Sequence, residues 1–512
     1  MTRLDRREFL GRAARTTAAL GAGSQLGLFS GCLGADGGGM PALSRRPNWT
    51  ALAKDLDGDL VLPSSRGYTQ ASRLFNPRFD GIKPQGVAYV GGADDMRTAV
   101  DWARDSGVPV VARNGGHSYG GYSSVDGLVV DLTRIKGIEV DRAGETARIG
   151  GGSLLIDVYA GLAGHGVTIP AGSCPTVGVG GLTLGGGIGL SGRKLGLTSD
   201  NLFEVELVTA DGELVVANER ENEDLYWASR GGGGGNFGIA TALTFRVHPV
   251  DRVAVYQYQW DWRHAAAIFD AWQSSAPDAP DELFSICKLA SIPSSGGGGG
   301  SPFVSSFGQY FGSRSELESL LEPLTAVEAP TSKMLSDLAF LDAQRLWAGC
   351  EGSASQCVAQ TSRAAYKAKS QYVDTAYPAE AVETIVKWIG DWPATSSPNG
   401  AAIQMDASGG AINRVPADAT AFVHRDDLFH CQFLAYWTGS DSRKLVDRNL
   451  AWIADFYDEM RPFASGRAYQ NYIDPDLDDW QDAYYGENLR RLEDVKAQHD
   501  PDGLFTFRQS IR

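Results

Sequence analysis

The chain has 512 residues, 43% of them apolar, and a formal charge of -16. That length exceeds what one hydrophobic core organises, so two lobes are expected, and no run approaches the ~20 apolar residues that a membrane-spanning helix needs. The negative charge argues against unaided nucleic-acid binding, which rests on phosphate neutralisation, and points to a small neutral or cationic substrate.

In chain order, the first segment reads as an address. Arg6-Arg7-Glu8-Phe9-Leu10, followed by small and apolar residues 18–29, resembles a twin-arginine export signal, a route that carries folded, cofactor-loaded proteins. Phe29-Ser30-Gly31-Cys32 resembles a lipoprotein cleavage box with Gly37-Gly38-Gly39 as a tether. Cys32 is then either a lipid-bearing residue or an ordinary signal-peptide cysteine lost on cleavage. Residues 1–45 are expected outside the fold, with membrane contact only through an anchor at Cys32.

Asp94 and Asp95 can cap a helix whose apolar residues Met96, Ala99, Val100 and Ala103 recur at helical spacing until Gly107. Residues 108–112 read as a buried strand that delivers Arg113-Asn114-Gly115-Gly116-His117-Ser118-Tyr119-Gly120-Gly121. A strand at 128–132, a helix at about 154–163 and a short strand at 167–170 lead to a second loop, Pro170-Ala171-Gly172-Ser173-Cys174-Pro175-Thr176-Val177-Gly178-Val179-Gly180-Gly181. Each loop sets one nucleophilic side chain, His117 or Cys174, among glycines whose amides can close on an anion. A buried cofactor with a pyrophosphate fits both. Residues 203–208 and 213–216 read as a hairpin through Asp211-Gly212, and 241–247 as a strand.

Past His248-Pro249 the pattern changes. Residues 253–260, 283–289 and 303–311 read as strands, 262–274 as a helix, 315–395 as mostly helical, and 422–424 and 429–437 as strands. Alternating strands imply an antiparallel sheet with one face under helices and the other free to meet a ligand. The tail, Tyr469-Gln470-Asn471-Tyr472-Ile473-Asp474 and then residues 484–492, is aromatic and polar beyond what core packing demands.

Glycine supplies 63 residues, nearly double the usual ~7%. The excess lies in the two loops and in pure runs at 231–235 and 296–300, the second of which reads as a surface loop. Of six cysteines, Cys350 and Cys357 are the first candidates for a disulfide in an oxidising compartment, with two free thiols as the alternative. Cys287 and Cys431 read as small buried hydrophobes. No cysteines or histidines have zinc-site spacing, so no metal site is expected.

Two motif matches fail on context. Gly116-His117-Ser118-Tyr119-Gly120 fits a serine-hydrolase elbow, but an elbow runs into a helix and this turn leads to a strand. Gly187-Ile188-Gly189-Leu190-Ser191-Gly192 fits the dinucleotide fingerprint without a strand immediately before it.

The His117 and Cys174 loops, residues 469–474 and residues 484–492 together resemble the berberine-bridge-enzyme-like branch of the vanillyl-alcohol-oxidase flavoproteins, over residue 50 to the C-terminus. The resemblance implies an α+β fold: a split, two-subdomain PCMH-type FAD-binding domain (46–250 completed by 456–512) around an inserted antiparallel-sheet substrate domain (251–455) covered by helices. It implies FAD held covalently through His117 to the 8α carbon and through Cys174 to C6. Cofactor contacts are expected from Arg113, Asn114, Gly115, Gly116, Ser118, Gly172, Val177, Gly178, Gly180 and Gly181, then Gly185, Gly186, Gly189, Ile239 and Asn488.

For the reaction, the resemblance implies hydride transfer from a secondary alcohol or hemiacetal carbon of a sugar or glycosylated metabolite to flavin N5. Tyr472 is the candidate base, with Tyr469 and Tyr119 secondary; an ordinary tyrosine near pKa ~10 needs help from neighbours to act so. The family's alkaloid-oxidising members use a glutamate base, and the Tyr472 motif supplies none. Where many members carry an aromatic, Ser408 precedes Gly409-Gly410 here, which puts substrate size in question. Val177, three after Cys174, resembles a gate for dioxygen, so an exported monomeric oxidase releasing hydrogen peroxide is expected. The alternatives are an oxidative cyclase acting on a specialised metabolite and a non-catalytic flavin-bearing binding or electron-carrier protein.

Overall fold

The computed structural model describes residues 47–294 and 299–512. The export signal, Cys32, its tether and most of the second glycine run lie outside the described residues.

The first sheet joins β1 (Asp59–Val61), β2 (Gly86–Tyr89), β3 (Val110–Arg113) and β4 (Leu128–Asp131) in the order β1-β2-β4-β3, parallel except for β1. Its central strand is buried at every position, as a parallel strand covered on both faces must be. The helix Ala93–Ser106 lays Met96, Ala99, Val100 and Ala103 on that sheet and stops at left-handed Gly107. Asp94 and Asp95 do not cap it, contrary to expectation. Gly92 occupies the cap, and the Asp95 carboxylate accepts from the amides of Asp57, Gly58 and Gly91, tying the incoming chain to the helix.

The second sheet takes β5 (Ile138–Asp141), β6 (Thr146–Gly150), β8 (Leu202–Val208), β9 (Leu214–Asn218) and β10 (Ile239–Arg246), antiparallel in the order β5-β6-β10-β8-β9. Strands β7 (Val167–Thr168) and β11 (His248–Pro249) pair separately. The expected hairpin is β8 with β9.

The third sheet has seven antiparallel strands: β12 (Arg252–Trp260), β13 (Leu283–Pro293), β14 (Gly300–Tyr310), β15 (Ser332–Ala339), β16 (Ala365–Val373), β17 (Ala401–Ala407) and β18 (Phe429–Trp437), ordered β15-β12-β14-β13-β17-β18-β16. Helices Ala265–Ser275, Ala379–Gly390 and Arg443–Met460 share a core with one face. On β18, Phe429, Cys431, Phe433 and Ala435 point into that core, and on β17 so do Ala401, Ile403, Met405 and Ala407. The period of two therefore sends Gln404, Asp406, His430 and Gln432 to the other face.

Three expectations are corrected. Residues 315–395 are not mostly helical, since they contain β15 and β16. Strand β16 alternates Tyr366, Ala368 and Tyr372 with Lys367, Lys369 and Gln371, yet both its faces are enclosed, with Lys367 and Lys369 paired to Asp474. Residues 422–424 form no strand; Phe422 lies in a loop whose amide donates to Arg230 O. Tyr484 and Tyr485 do belong to a core, with Trp227 and Leu492, and the Tyr484 hydroxyl accepts from the Asp474 amide at 2.8 Å. Cys350 and Cys357 are joined as a disulfide, and Cys287 and Cys431 are buried free thiols.

Candidate active site

The free face of the third sheet, the His117 and Cys174 loops and the 469–473 segment enclose a cavity of about 520 Å³. The two loops clasp each other. A Cβ on Gly115 would land on the Thr176 carbonyl oxygen, and one on Gly178 would land on Asn114, whose Nδ2 donates to Gly151 O. Backbone bonds from Leu155 to Val177 and from Ile156 to Pro175 fix the second loop to the start of helix Leu155–Ala163.

The wall nearest the first glycine run fits a diphosphate-bearing cofactor. Gly180, Gly181, Gly233 and Gly234 line it; a Cβ on Gly181 would meet no protein atom within 4 Å and would project into the cavity. Gly115→Ala is expected to destabilise the protein by about 1–3 kcal/mol through overpacking. Gly181→Ala is expected to leave the melting temperature alone. Both lower the flavin-to-protein absorbance ratio, and thermal melts distinguish the two causes.

His117 stacks on Phe75 with ring centres 3.9 Å apart, and its Nε2 lies 2.9 Å from Thr176 Oγ1. Burial pulls its pKa down to about 3, so the ring is neutral and nucleophilic. Cys174 faces the same cavity as a thiol, because burial pushes its pKa up to about 11 against a single opposing backbone hydrogen bond near Thr176. Its surroundings do not generate the thiolate, which is the nucleophilic form of cysteine, so a base must remove the proton during any bond formation.

The tyrosines separate by role. Tyr472 stacks on Tyr119 at 5.0 Å with the rings nearly parallel, and its hydroxyl makes no hydrogen bond among the described residues. Tyr119 accepts from Gln432 Nε2 at 2.9 Å. Tyr469 is different: its oxygen accepts from the amides of Gly187 and Ile188 and from Asn471 Nδ2, which makes it a clamp on that turn. Burial raises the pKa of all three, Tyr469 to about 12.

Asp406 is the residue sequence reasoning missed. It lines the cavity, accepts from Gln404 Nε2 at 2.9 Å, and is pushed by burial to about 7. His430 Nε2 is 3.8 Å away, too far to hydrogen-bond, and burial holds that ring neutral, its pKa about 3. The polar residues at 404, 406, 430 and 432, alternating with apolar ones, were the available signal.

Of the other expected contacts, Asn114, Gly115, Gly116, Ser118, Gly172, Val177, Gly178, Gly180, Gly181 and Gly189 line the cavity. Five do not. Arg113 is paired to Asp131 at 2.7 Å in the interior. Gly185 packs on Asn471, and Gly186 on the Phe422 ring. Ile239 sits in the core of the first sheet, and Asn488 Nδ2 donates to the carbonyls of Ala417 and Thr420. These five brace walls rather than form them.

The FAD binding domain family matches residues 84–218, and the Berberine and berberine like family matches residues 468–512. The FAD-linked oxidoreductase YgaK of Bacillus subtilis is 33% identical over 89% of this chain and 97% of its own. The solved structure of Physcomitrella patens BBE-like 1 is 33% identical with a TM-score of 0.82, covering 91% of this chain and 98% of that one. Phl p 4, a grass pollen allergen with glucose dehydrogenase activity, is 26% identical with a TM-score of 0.80 over 90% of this chain and 98% of its own; an isoleucine-to-valine variant of it is a glucose oxidase.

Proposed function

The chain belongs to the berberine-bridge-enzyme-like family of FAD-linked oxidoreductases, and on that ground we propose that it is an exported oxidase of a secondary alcohol or hemiacetal carbon, acting on a sugar or glycosylated metabolite. Residues 46–250 and 456–512 form its FAD-binding domain, and 251–455 its substrate domain. FAD is held through the His117 ring and the Cys174 sulfur, with the glycines of both loops against its diphosphate. Bound FAD supplies the two-electron acceptor for hydride from the substrate carbon.

The protein's own part is proton removal and positioning. Tyr472 takes the proton of the substrate hydroxyl as its own phenol proton passes on toward Asp406, the nearby carboxylate that is ionised above a pH of about 7 and receives it. Tyr119, held by Gln432, supports the Tyr472 ring by stacking. The observation that carries this reading is a near-neutral carboxylate and an unbonded phenol facing the same cavity as His117 and Cys174. Val177 on the cavity wall supports dioxygen as the acceptor, as does the valine variant of Phl p 4 that is a glucose oxidase.

Acid precipitation tests attachment. Wild-type protein is expected to give a yellow pellet, each single variant (His117→Ala or Cys174→Ala) a yellow pellet as well, and the double variant a colourless pellet with flavin in the supernatant. Anaerobic titration with D-glucose, cellobiose and simple secondary alcohols tests the reaction by bleaching of the flavin band. Admitted air should restore the colour and yield hydrogen peroxide in a peroxidase-coupled assay; peroxide-free recovery overturns the oxidase assignment.

A further inference from the structure

One register of the third sheet is polar across all seven strands. Gln259 pairs with Ser332 and Ser305, Ser305 with Lys288, Lys288 with Gln404, Gln404 with Gln432, and Gln432 with Ser370. Directly paired residues share a face, so this row runs along the cavity side of the sheet. It runs from exposed Ser332 and Gln259 to buried Gln432, which holds Tyr119, and Ser370. The adjacent register carries Ile286, Asp406 and His430.

Lys288 is the anomaly in that row. It lines the cavity on β13, beside Phe284 and Ile286, and its ammonium makes no hydrogen bond or ion pair among the described residues. The fully buried lysines all have carboxylate partners: Lys367 and Lys369 bind Asp474, and Lys496 binds Asp500. Lys288 is half-buried with its side chain on the cavity, and desolvation there lowers its pKa. The cavity side is where a partner can arrive. Lys288 pairs with Gln404 and is therefore a diagonal neighbour of Asp406 on the same face, roughly 7–8 Å away, which places its partner about one sugar ring from the carbon that Tyr472 and Asp406 serve.

We propose that Lys288 is the counter-charge for a substrate carboxylate, so that the alcohol oxidised belongs to a sugar acid or a similar hydroxy acid. The inference rests on the oxidase reading of the same site and names its substrate class. It replaces the neutral or cationic substrate expected from the charge of -16, because surface charge is screened within about 8 Å at physiological salt whereas an enclosed ammonium is not.

The test uses the FAD-loaded full chain with matched pairs, D-glucuronate against D-glucose and D-galacturonate against D-galactose. Binding is read as perturbation of the oxidised flavin spectrum and as thermal shift, and turnover as anaerobic bleaching. Wild-type protein should bind the acids at least about 30-fold more tightly than their neutral partners, the lower bound for an enclosed charge pair. Lys288→Met should abolish that preference while raising the melting temperature of the ligand-free protein, and Lys288→Arg should keep part of the preference. Lys288→Met that lowers the melting temperature marks a structural lysine. A changed flavin spectrum or potential with unaltered acid preference marks a lysine serving the cofactor. Either result overturns the proposal, as does equal wild-type binding of acids and neutral sugars or binding of neither. Acids that bind tightly but never bleach the flavin leave the carboxylate subsite standing and refute the oxidase reading instead.

Discussion

Tyr472→Phe is expected to slow flavin reduction by about 10²–10⁴-fold, the range for a positioned acid–base group, with FAD content and melting temperature unchanged. The ring keeps its stack on Tyr119 at 5.0 Å, and the deleted hydroxyl has no hydrogen-bond partner among the described residues, so no structural bond is lost. Stopped-flow reduction under nitrogen reads the effect directly. Tyr469→Phe is the contrasting control. It strips the acceptor from two backbone amides and Asn471, and an unpaired buried donor costs about 1–3 kcal/mol. The melting temperature and flavin loading should therefore fall together. A Tyr472→Phe enzyme that reduces its flavin at the wild-type rate would remove Tyr472 from the chemistry and leave Tyr119 and Asp406 as the candidates.

Asp406→Asn is expected to have an effect of similar size, about 10²-fold or more at pH 8, with a distinctive pH signature. In the wild type the rate of flavin reduction should rise with pH through about 7, as the carboxyl ionises, and then level off. The variant should be slow and flat across that window. His430, the nearest ring, stays neutral throughout because burial lowers its pKa to about 3, so it adds no limb of its own. Stability moves the opposite way. Folding raises the Asp406 pKa from 3.8 to about 7, so between those values the native state binds more protons than the unfolded chain, and stability falls as pH rises. Asparagine removes that loss. The variant should match the wild type in melting temperature near pH 4 and exceed it at pH 8. A variant that melts lower at pH 8 would show that the carboxylate is held by contacts rather than tolerated in a low-dielectric wall. Asp427, likewise raised to about 7 by burial, titrates in the same window in both proteins and cancels from the comparison.

Cys174 adds a kinetic consequence for flavin loading. With its thiol pKa raised to about 11, thiolate is scarce at neutral pH, so attachment through sulfur should lag behind attachment through the neutral His117 ring. Samples of Cys174→Ala and His117→Ala taken during reconstitution separate the two bonds.

The local half of the site was legible in the sequence because it is written in local conformation. Glycines around His117 and Cys174 are demanded where two backbones meet or a bulky anion must lie close, as Gly115 against Thr176 and Gly181 on the open wall illustrate. Strand β18 and the helix Ala93–Ser106 were legible for the same kind of reason, since one covered face imprints its period on the chain. The stretch 469–472 marked itself by composition, but not the division of labour between Tyr469 and Tyr472, which depends on whether Gly187 and Ile188 point their amides at a given oxygen.

Tertiary structure alone decided the rest. Strand β16 does alternate in residue type, but the side that carries Lys367 and Lys369 is enclosed rather than solvated because Asp474 pairs both lysines, and only the fold supplies that partner. Asp406, Gln404 and Gln432 are marked locally only as polar positions that alternate with apolar ones, which fixes their face of the sheet but not their partners, and the same holds for Lys288. They become a site only when antiparallel register sets them side by side on the face left uncovered by helices. A shift of one residue in that register would send the same four side chains into an apolar core. The identity of the cofactor loops was therefore fixed by steric needs within a few residues, whereas the chemistry facing the substrate was fixed by pairings between strands far apart in the chain.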